Sequence, residues 1–147
     1  MEEKQWTLVE AALAISRPLG AVGALFGLLA LAGYSFGIEA LYRPFAGWPA
    51  THPLSAVSIL FLGLGISAND RTPRGIWLQR LCAFLAGSIA AIRLCEAIFG
   101  VDLTSSFTPF HDMVLFDQGL GRKNSMGVNT ACMLFSIALA LGLQSAR

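Results

Sequence analysis

Charged residues are scarce in this sequence, and their scarcity limits the kind of fold that the chain can form. Only 13% of the 147 residues are charged, 55% are hydrophobic, and the mean hydropathy is +0.64. A soluble domain usually carries about 25% charged residues. A chain this short cannot hide so much apolar surface from water, so the composition predicts an all-α integral membrane protein with the lipid bilayer as its solvent. A net charge of +1 leaves no basic face for nucleic acid.

Residues that carry chemistry are also few. The three cysteines, Cys82, Cys95 and Cys132, lie in apolar runs without CxxC or Cys/His spacing. This spacing predicts neither a disulfide framework nor a zinc site, and we interpret the cysteines as small buried apolar residues. No constellation in the sequence is typical of the active site of a self-contained enzyme, so we expect the chain itself not to be an enzyme.

Four apolar runs predict transmembrane helices at 19–36, 53–68, 76–99 and 128–143. The second and fourth runs are near the short limit for crossing a ~30 Å hydrocarbon core. Residues 1–16 begin charged and then show apolar positions at helical spacing, which predicts a short amphipathic helix at the interface, ended by Arg17 and Pro18. Both termini are expected in the cytoplasm, because more basic residues fall on that side. They are Lys4, Arg17, Arg71, Arg74, Arg80 and Arg147, against Arg43, Arg122 and Lys123 outside.

An internal repeat organises the chain. The segment 34–39 matches 97–102 around the Phe36-Gly37 and Phe99-Gly100 pairs, and Pro53 and Val128 each open an apolar helix. Each half is a helix, an outer loop and a returning helix. The repeat therefore predicts two helix hairpins related by a pseudo-twofold axis along the membrane normal.

The second half resembles a known bacterial pattern. The letters EAIFGVDL at 96–103, LF at 115–116, GR at 121–122 and MGVNTA at 126–131 are similar to E-x-x-F-G-x-D-L … G-R-M-x-P-N-T-A-L. That pattern occurs in the N-terminal membrane region of sensor proteins in which PAS, histidine kinase or diguanylate cyclase (GGDEF) domains follow. Val128 stands where the family usually has proline. The resemblance implies a sensory input domain in the bacterial inner membrane, followed by a cytoplasmic output domain, which can be an enzyme.

Four residues are candidates for a ligand or a switch, and the resemblance adds a fifth. Arg93 and Glu96 share one helix face inside an apolar run, where charges are costly and face a partner. They form either a switch or a structural ion pair. Asn129 and Thr130 start the last helix, either as an N-cap or as a ligand-reading polar pair. Asp102 lies within the resembling motif.

The only two histidines, His52 and His111, each precede a returning helix at the outer membrane level. A haem b between the helices could take one imidazole from each side, and a metal could be held with Asp112 or Asp117. The alternative is that both are interfacial histidines without a ligand. These residues give a second hypothesis for the function, a haem-binding electron-transfer or redox-sensing module.

The expected function is signal input, relayed through the fourth predicted helix to the output domain. We expect a parallel homodimer that brings the cytoplasmic ends of the two copies of this helix close together. Gly23 and Gly27 form a G-x-x-x-G pair of the kind that often marks a helix dimer face. The stimulus, a small molecule or a redox change, is not named by any motif.

Overall fold

The computed structural model describes residues 2–45, 47–68 and 72–144, with side chains from residue 14 onward. Of the amphipathic face expected for residues 1–16, the side chains before residue 14 lie outside this description, as do residues 69–71 and 145–147. The described part is all-helical, which confirms that element of the prediction. Its helices are α1 (Glu2–Phe36), α2 (Glu39–Tyr42), α3 (Pro53–Ser67), α4 (Pro73–Phe99), α5 (His111–Gly119) and α6 (Val128–Gln144), with a 3₁₀ turn at Ser105–Phe107.

The predicted break at Arg17 and Pro18 is wrong, because α1 continues through Pro18 as one helix. An interior proline removes one backbone hydrogen bond and costs about 3 kcal/mol. Helices packed against neighbours tolerate this where nearby hydroxyl groups bond to the backbone. The Ser67 hydroxyl donates to the Gly63 carbonyl of its own helix at 2.7 Å and is 3.2 Å from the Arg17 carbonyl, so α3 contacts α1 beside Pro18.

Two helices in the described part, over Ala14–Phe36 and Pro73–Phe99, are long and apolar enough to cross a membrane. The apolar helices α3 and α6 have 15 and 17 residues. At about 1.5 Å per residue, both are shorter than a ~30 Å hydrocarbon core. The prediction of four apolar helices at these places is confirmed, but only two of the four have the length of a membrane span.

The helices form two hairpins, α1 with α3 and α4 with α6. In both hairpins, small residues at equivalent positions lie where the two helices touch. Counted from the two sequence matches, Gly20 beside Ser67 corresponds to Ala83 beside Gly142. Likewise, Gly63 beside Ala24 corresponds to Ala138 beside Gly87. These equivalent contacts support the prediction of two repeated hairpins.

The relation between the hairpins differs from the prediction. A twofold axis would pair α6 with α1 as closely as α3 pairs with α4. In the described residues α3 packs on α4, whereas α1 and α6 share no comparable interface. The main interfaces therefore join the helices in the order α1, α3, α4, α6, with a smaller contact between α3 and α6. The predicted twofold is not closed within one chain, because α1 and α6 do not pack on each other as α3 and α4 do in the described residues.

The connecting segments 37–45, 47–52 and 100–127 cover one end of the four helices, and we name them the loop cap. Both long helices end at a glycine with positive φ, Gly37 at 68° and Gly100 at 67°, which lets the chain turn sharply. The two halves of the loop cap are joined where the Ala50 amide donates to the Lys123 carbonyl at 3.1 Å.

Candidate ligand cavity

A cavity of about 340 Å³ lies beneath the loop cap and brings together most of the residues that the sequence singled out. Five of the seven candidates line it, from both hairpins and from the second loop. They are His52, Arg93, Glu96, Asp102 and His111. Most of the remaining lining side chains are also polar, including Thr104, Thr108, Gln118 and Ser125.

Glu96 is buried, and its carboxylate fastens the loop that follows α4. Its Oε1 accepts hydrogen bonds from the backbone amides of Leu103, at 2.5 Å, and of Thr104. Its Oε2 accepts from the Thr104 hydroxyl at 3.0 Å and from Arg93 Nη1 at 2.8 Å. Four donors satisfy the carboxylate, so the geometry favours the structural interpretation of Glu96 over a freely titrating switch.

Arg93 joins the same helix to the segment before α6. Its Nε donates to the Met126 carbonyl at 2.9 Å, and its guanidinium is partly exposed in the cavity wall. A single side chain thus connects Glu96, the cavity and the start of α6. The pair faces the protein interior, as expected for charges inside an apolar helix.

His52 is buried and lies directly before α3, where Pro53 occupies the first helical position. Its Nδ1 accepts a hydrogen bond from the Leu54 amide at 3.3 Å and so caps the helix. Burial, helped by the charge of Arg93 and opposed by Glu96, lowers the pKa of His52 to about 4. The neutral ring with Nδ1 as acceptor carries its proton on Nε2. His52 can therefore donate a hydrogen bond to a ligand through Nε2.

His111 is the first residue of α5, and strained backbone precedes it. Phe110 has φ 57°, a left-handed conformation that residues with a side chain rarely adopt. The Phe110 ring stacks on Tyr34 with centroids 5.6 Å apart, which fixes this turn. The stacking holds Phe110 in place, and the strained turn leaves His111 in the wall of the cavity.

Of the other predicted polar residues, Asp102 lies at the exposed edge of the cavity lining. Asp102 is exposed, and its Oδ1 accepts from the Ser105 amide at 3.1 Å, which starts the 3₁₀ turn. Asn129 and Thr130 do not line the cavity. The N-cap interpretation of Asn129 is wrong, because α6 already begins at Val128, and Gly127 accepts the first backbone bond from Ala131. Asn129 is exposed in the first helical turn.

A second polar cluster was not anticipated from the sequence. Arg43 Nη2 donates to Asp117 Oδ2 at 2.9 Å, and Asn124 Nδ2 donates to the same oxygen at 2.8 Å. Tyr34 is 3.0 Å from Asn124 Nδ2 and donates to the Thr51 carbonyl. All four side chains are buried. Because Arg43 belongs to the first half of the loop cap and Asp117 and Asn124 to the second, the cluster connects the two halves. The four residues lie in unlike sequence contexts, and no spacing rule connects them.

The metal hypothesis finds no support in the described residues, among which no group of three or more His, Cys, Asp or Glu side chains could hold an ion. Asp117 is occupied by Arg43 and Asn124, and Asp112 is exposed. Of the cysteines, Cys82 is buried as expected, whereas Cys95 and Cys132 are exposed on the outside of their helices.

Comparison with family models, with curated proteins and with solved structures finds no match to this chain. The resemblance to sensor membrane regions therefore stays a prediction from the motifs at 96–103 and 126–131.

Proposed function

We propose that this chain is the membrane-embedded input domain of a bacterial signalling protein, which binds a small polar ligand in the cavity under the loop cap. The observation that carries the proposal is the convergence of His52, His111, Arg93 and Glu96 on one cavity. All four side chains carry hydrogen-bonding groups that can contact a ligand there. The output domain expected from the resemblance would follow α6 on the cytoplasmic side.

The uncovered apolar surface supports the membrane location. The long apolar stretches of α1 and α4 are mostly uncovered, unlike the core helix of a soluble protein. Large side chains such as Leu25, Trp77 and Phe84 are exposed along them. The loop cap adds exposed Phe45, Trp48 and Phe116, which suits an aromatic belt at the membrane interface. In the proposed orientation the loop cap is outside the inner membrane and both termini are cytoplasmic.

The chemistry of the cavity favours a small polar ligand. His52 offers an N–H donor and Arg93 a partly exposed guanidinium, while serine, threonine and glutamine side chains add donors and acceptors. Polar groups of this kind fix the orientation of a ligand and give specificity. A ligand that accepts a hydrogen bond from Arg93 Nε would compete with the Met126 carbonyl, which lies two residues before α6. The proposed relay is a shift of α6, driven by the different affinity of the ligand for the two arrangements.

The proposal is tested with a chimera in which α6 continues into a cytoplasmic histidine kinase domain. We expect His111→Ala and Ser125→Trp, which change the cavity, to alter kinase output in membranes. Arg122→Gln is the matched control, because Arg122 is an exposed cation of the loop cap that does not line this cavity. Thermal unfolding of each variant must remain at the parent value. Correctly folded cavity variants with unchanged output would contradict an input role for this cavity.

A haem-binding module is the second candidate, because both histidines line the same cavity. A metal-ligating histidine usually donates its other ring N–H to an acceptor. The Nδ1 of His52 instead accepts from Leu54, which leaves the proton on Nε2. This arrangement and the polar lining favour the small polar ligand. A visible absorption spectrum of the purified protein separates the two candidates, since a Soret band lost in His52→Ala or His111→Ala would support haem.

A further inference from the structure

The repeated hairpins leave two helix faces uncovered, one on α6 and one on α1, and each corresponds to a face that is covered elsewhere in the chain. We propose that two copies of this chain associate by packing α6 of each copy on α1 of the other, in the way that α3 packs on α4. This inference rests on the repeat and on exposure, and it is independent of the ligand in the cavity.

The covered interface between α3 and α4 supplies the template. On α3, the residues Leu54, Ser58, Leu62 and Gly65 are buried along one side of the helix. A Cβ at Gly65 would lie 2.8 Å from Leu141 Cδ2 on α6, and 3.1 Å from the Cβ of Cys82 and 3.8 Å from the Cα of Gln79 on α4. Leu54 and Leu62 belong to the apolar cluster that contains α4 and α6 residues. This side of α3 is therefore turned away from α1.

The corresponding residues of α6 are exposed. Counted from the match of Pro53 with Val128, they are Asn129, Met133, Ile137 and Ala140, at spacings of one helical face. Met133 is 66% exposed and Ile137 is 42% exposed. The α6 face repeats the α3 face in position, but no helix of the same chain covers it within the described residues.

The complementary face lies on α1. Counted from the match of Phe36 with Phe99, buried Cys82 and Ala86 of α4 correspond to Leu19 and Gly23 of α1. Leu19 is 63% exposed, and Gly23 is only in loose contact with α3, with Ile59 4.0 Å from the position of an added Cβ. The face also contains Phe26, at the next helical repeat and 42% exposed. Of the G-x-x-x-G pair, Gly27 packs on α3 within the chain, which leaves Gly23 for the partner.

The directions in which each helix contacts its neighbours indicate that two copies form a closed assembly. At 3.6 residues per turn, the α4 residues that touch α3 and those that touch α6 point about 80° apart. The contacts of α3 with α1 and α4 point in nearly opposite directions by the same count. Viewed along the helix axes, the line through α3, α4 and α6 therefore bends by nearly a right angle at α4, whereas the line through α1, α3 and α4 is nearly straight at α3. By the repeat, the line bends in the same way at α1 and is straight at α6. Two copies, each with bends at α1 and α4, then form a closed square of eight helices.

A second copy fits these faces better than lipid does. The α6 face contains the polar Asn129 and the small Ala140, and the α1 face contains Gly23. Small residues allow close approach of helices, and a polar side chain gains hydrogen-bond partners from a neighbouring helix but not from acyl chains. The large apolar residues that suit lipid, such as Leu25 and Leu28, lie on another side of α1.

The proposed dimer differs from the sequence-based expectation in one respect. In the square, α6 lies beside the partner's α1 and far from the other α6. The cytoplasmic ends of the two α6 helices are therefore separated, and a movement of α6 reaches the other copy through α1.

The experiment uses two differently tagged copies of the chain, both with Cys82→Ala, Cys95→Ala and Cys132→Ala. One carries Leu19→Cys and the other Ala140→Cys, the counterparts of Cys82 and Gly65. The template Cβ separation of 3.1 Å is close to the ~3.5–4.5 Å of a disulfide. Mild oxidation of co-expressing membranes is expected to give a disulfide that joins the two tags. The matched control, Ala21→Cys with Ala140→Cys, places the thiol at a similar depth on another exposed side of α1 and should not crosslink.

Three results would overturn the proposal. The first is a Leu19–Ala140 crosslink no stronger than that of the Ala21 control. The second is an Ala140–Ala140 disulfide as the main product, which would place the two α6 helices side by side. The third is a monomeric mass for the parent protein in detergent by light scattering. Thermal unfolding of the cysteine-free background against the parent shows that a missing crosslink does not come from misfolding.

Discussion

Replacing Arg43 with methionine is expected to lower the free energy of unfolding by about 3–5 kcal/mol, because it leaves the buried Asp117 carboxylate without its counter-charge. Arg43 Nη2 is 2.9 Å from Asp117 Oδ2, and both side chains are almost fully buried. Asn124 remains as a single neutral donor to that oxygen. Thermal or denaturant unfolding in detergent measures the loss.

Two further variants isolate the buried charge as the cause. Adding Asp117→Asn to Arg43→Met removes the unpaired carboxylate and should recover a large part of the lost stability. Arg122→Met removes an exposed arginine that is 2.9 Å from Glu39, and exposed pairs contribute about 0–1 kcal/mol. If Arg43→Met unfolds at the same point as Arg122→Met, the loop cap is not held by this ion pair.

Acidification from pH 6.5 to pH 4 is expected to cost about 2–3 kcal/mol of stability through His52 alone. The pKa of His52 falls from 6.5 to about 4 in the folded protein, chiefly because of burial. The unfolded chain therefore binds a proton first as the pH falls, so this stability is complete above pH 6.5 and is lost toward pH 4. Protonation also removes the Nδ1 acceptor of the Leu54 amide.

His52→Asn is the control for this pH dependence, because asparagine caps a helix well and does not titrate. Carboxylates titrate in the same range in both proteins, so the difference between the two stability curves reports His52. We expect the parent and variant curves to separate progressively below pH 6.5. Parallel curves down to pH 4 would show that His52 is not buried as a neutral ring.

The four apolar helices were predictable because their apolar runs are long. Pro53 begins both the predicted second run and α3, whereas α4 begins at Pro73, three residues before the predicted start at 76. The continuity of α1 was not predictable, since whether a proline breaks a helix depends on packing and backbone contacts that the sequence does not show. The relation between the hairpins was missed for a similar reason. Sequence similarity identifies equivalent helices but not which helix packs on which.

Part of the cavity was predictable from the cost of placing charges in apolar surroundings, which singled out Arg93 and Glu96. The two histidines were identifiable as candidate ligands because the sequence contains no others. The Arg43–Asp117 pair was missed because its partners are 74 positions apart in polar loops, where a charged residue is ordinary. The N-cap interpretation of Asn129 was wrong although the predicted run began at the correct residue, Val128, because an N-cap residue precedes the first helical residue.

The orientation of the chain in a membrane tests the central claim most directly. A single cysteine is placed at Gly119 in the loop cap, where an added side chain meets open space, or at Pro73, the exposed start of α4 at the other end. Both variants lack the native cysteines, and intact cells are treated with a membrane-impermeant maleimide. Labelling of both sites after lysis confirms that each thiol is reactive. The proposed input domain requires labelling at Gly119 and protection at Pro73 in intact cells. Labelling at Pro73 with protection at Gly119, or recovery of the protein in the soluble fraction, would contradict it.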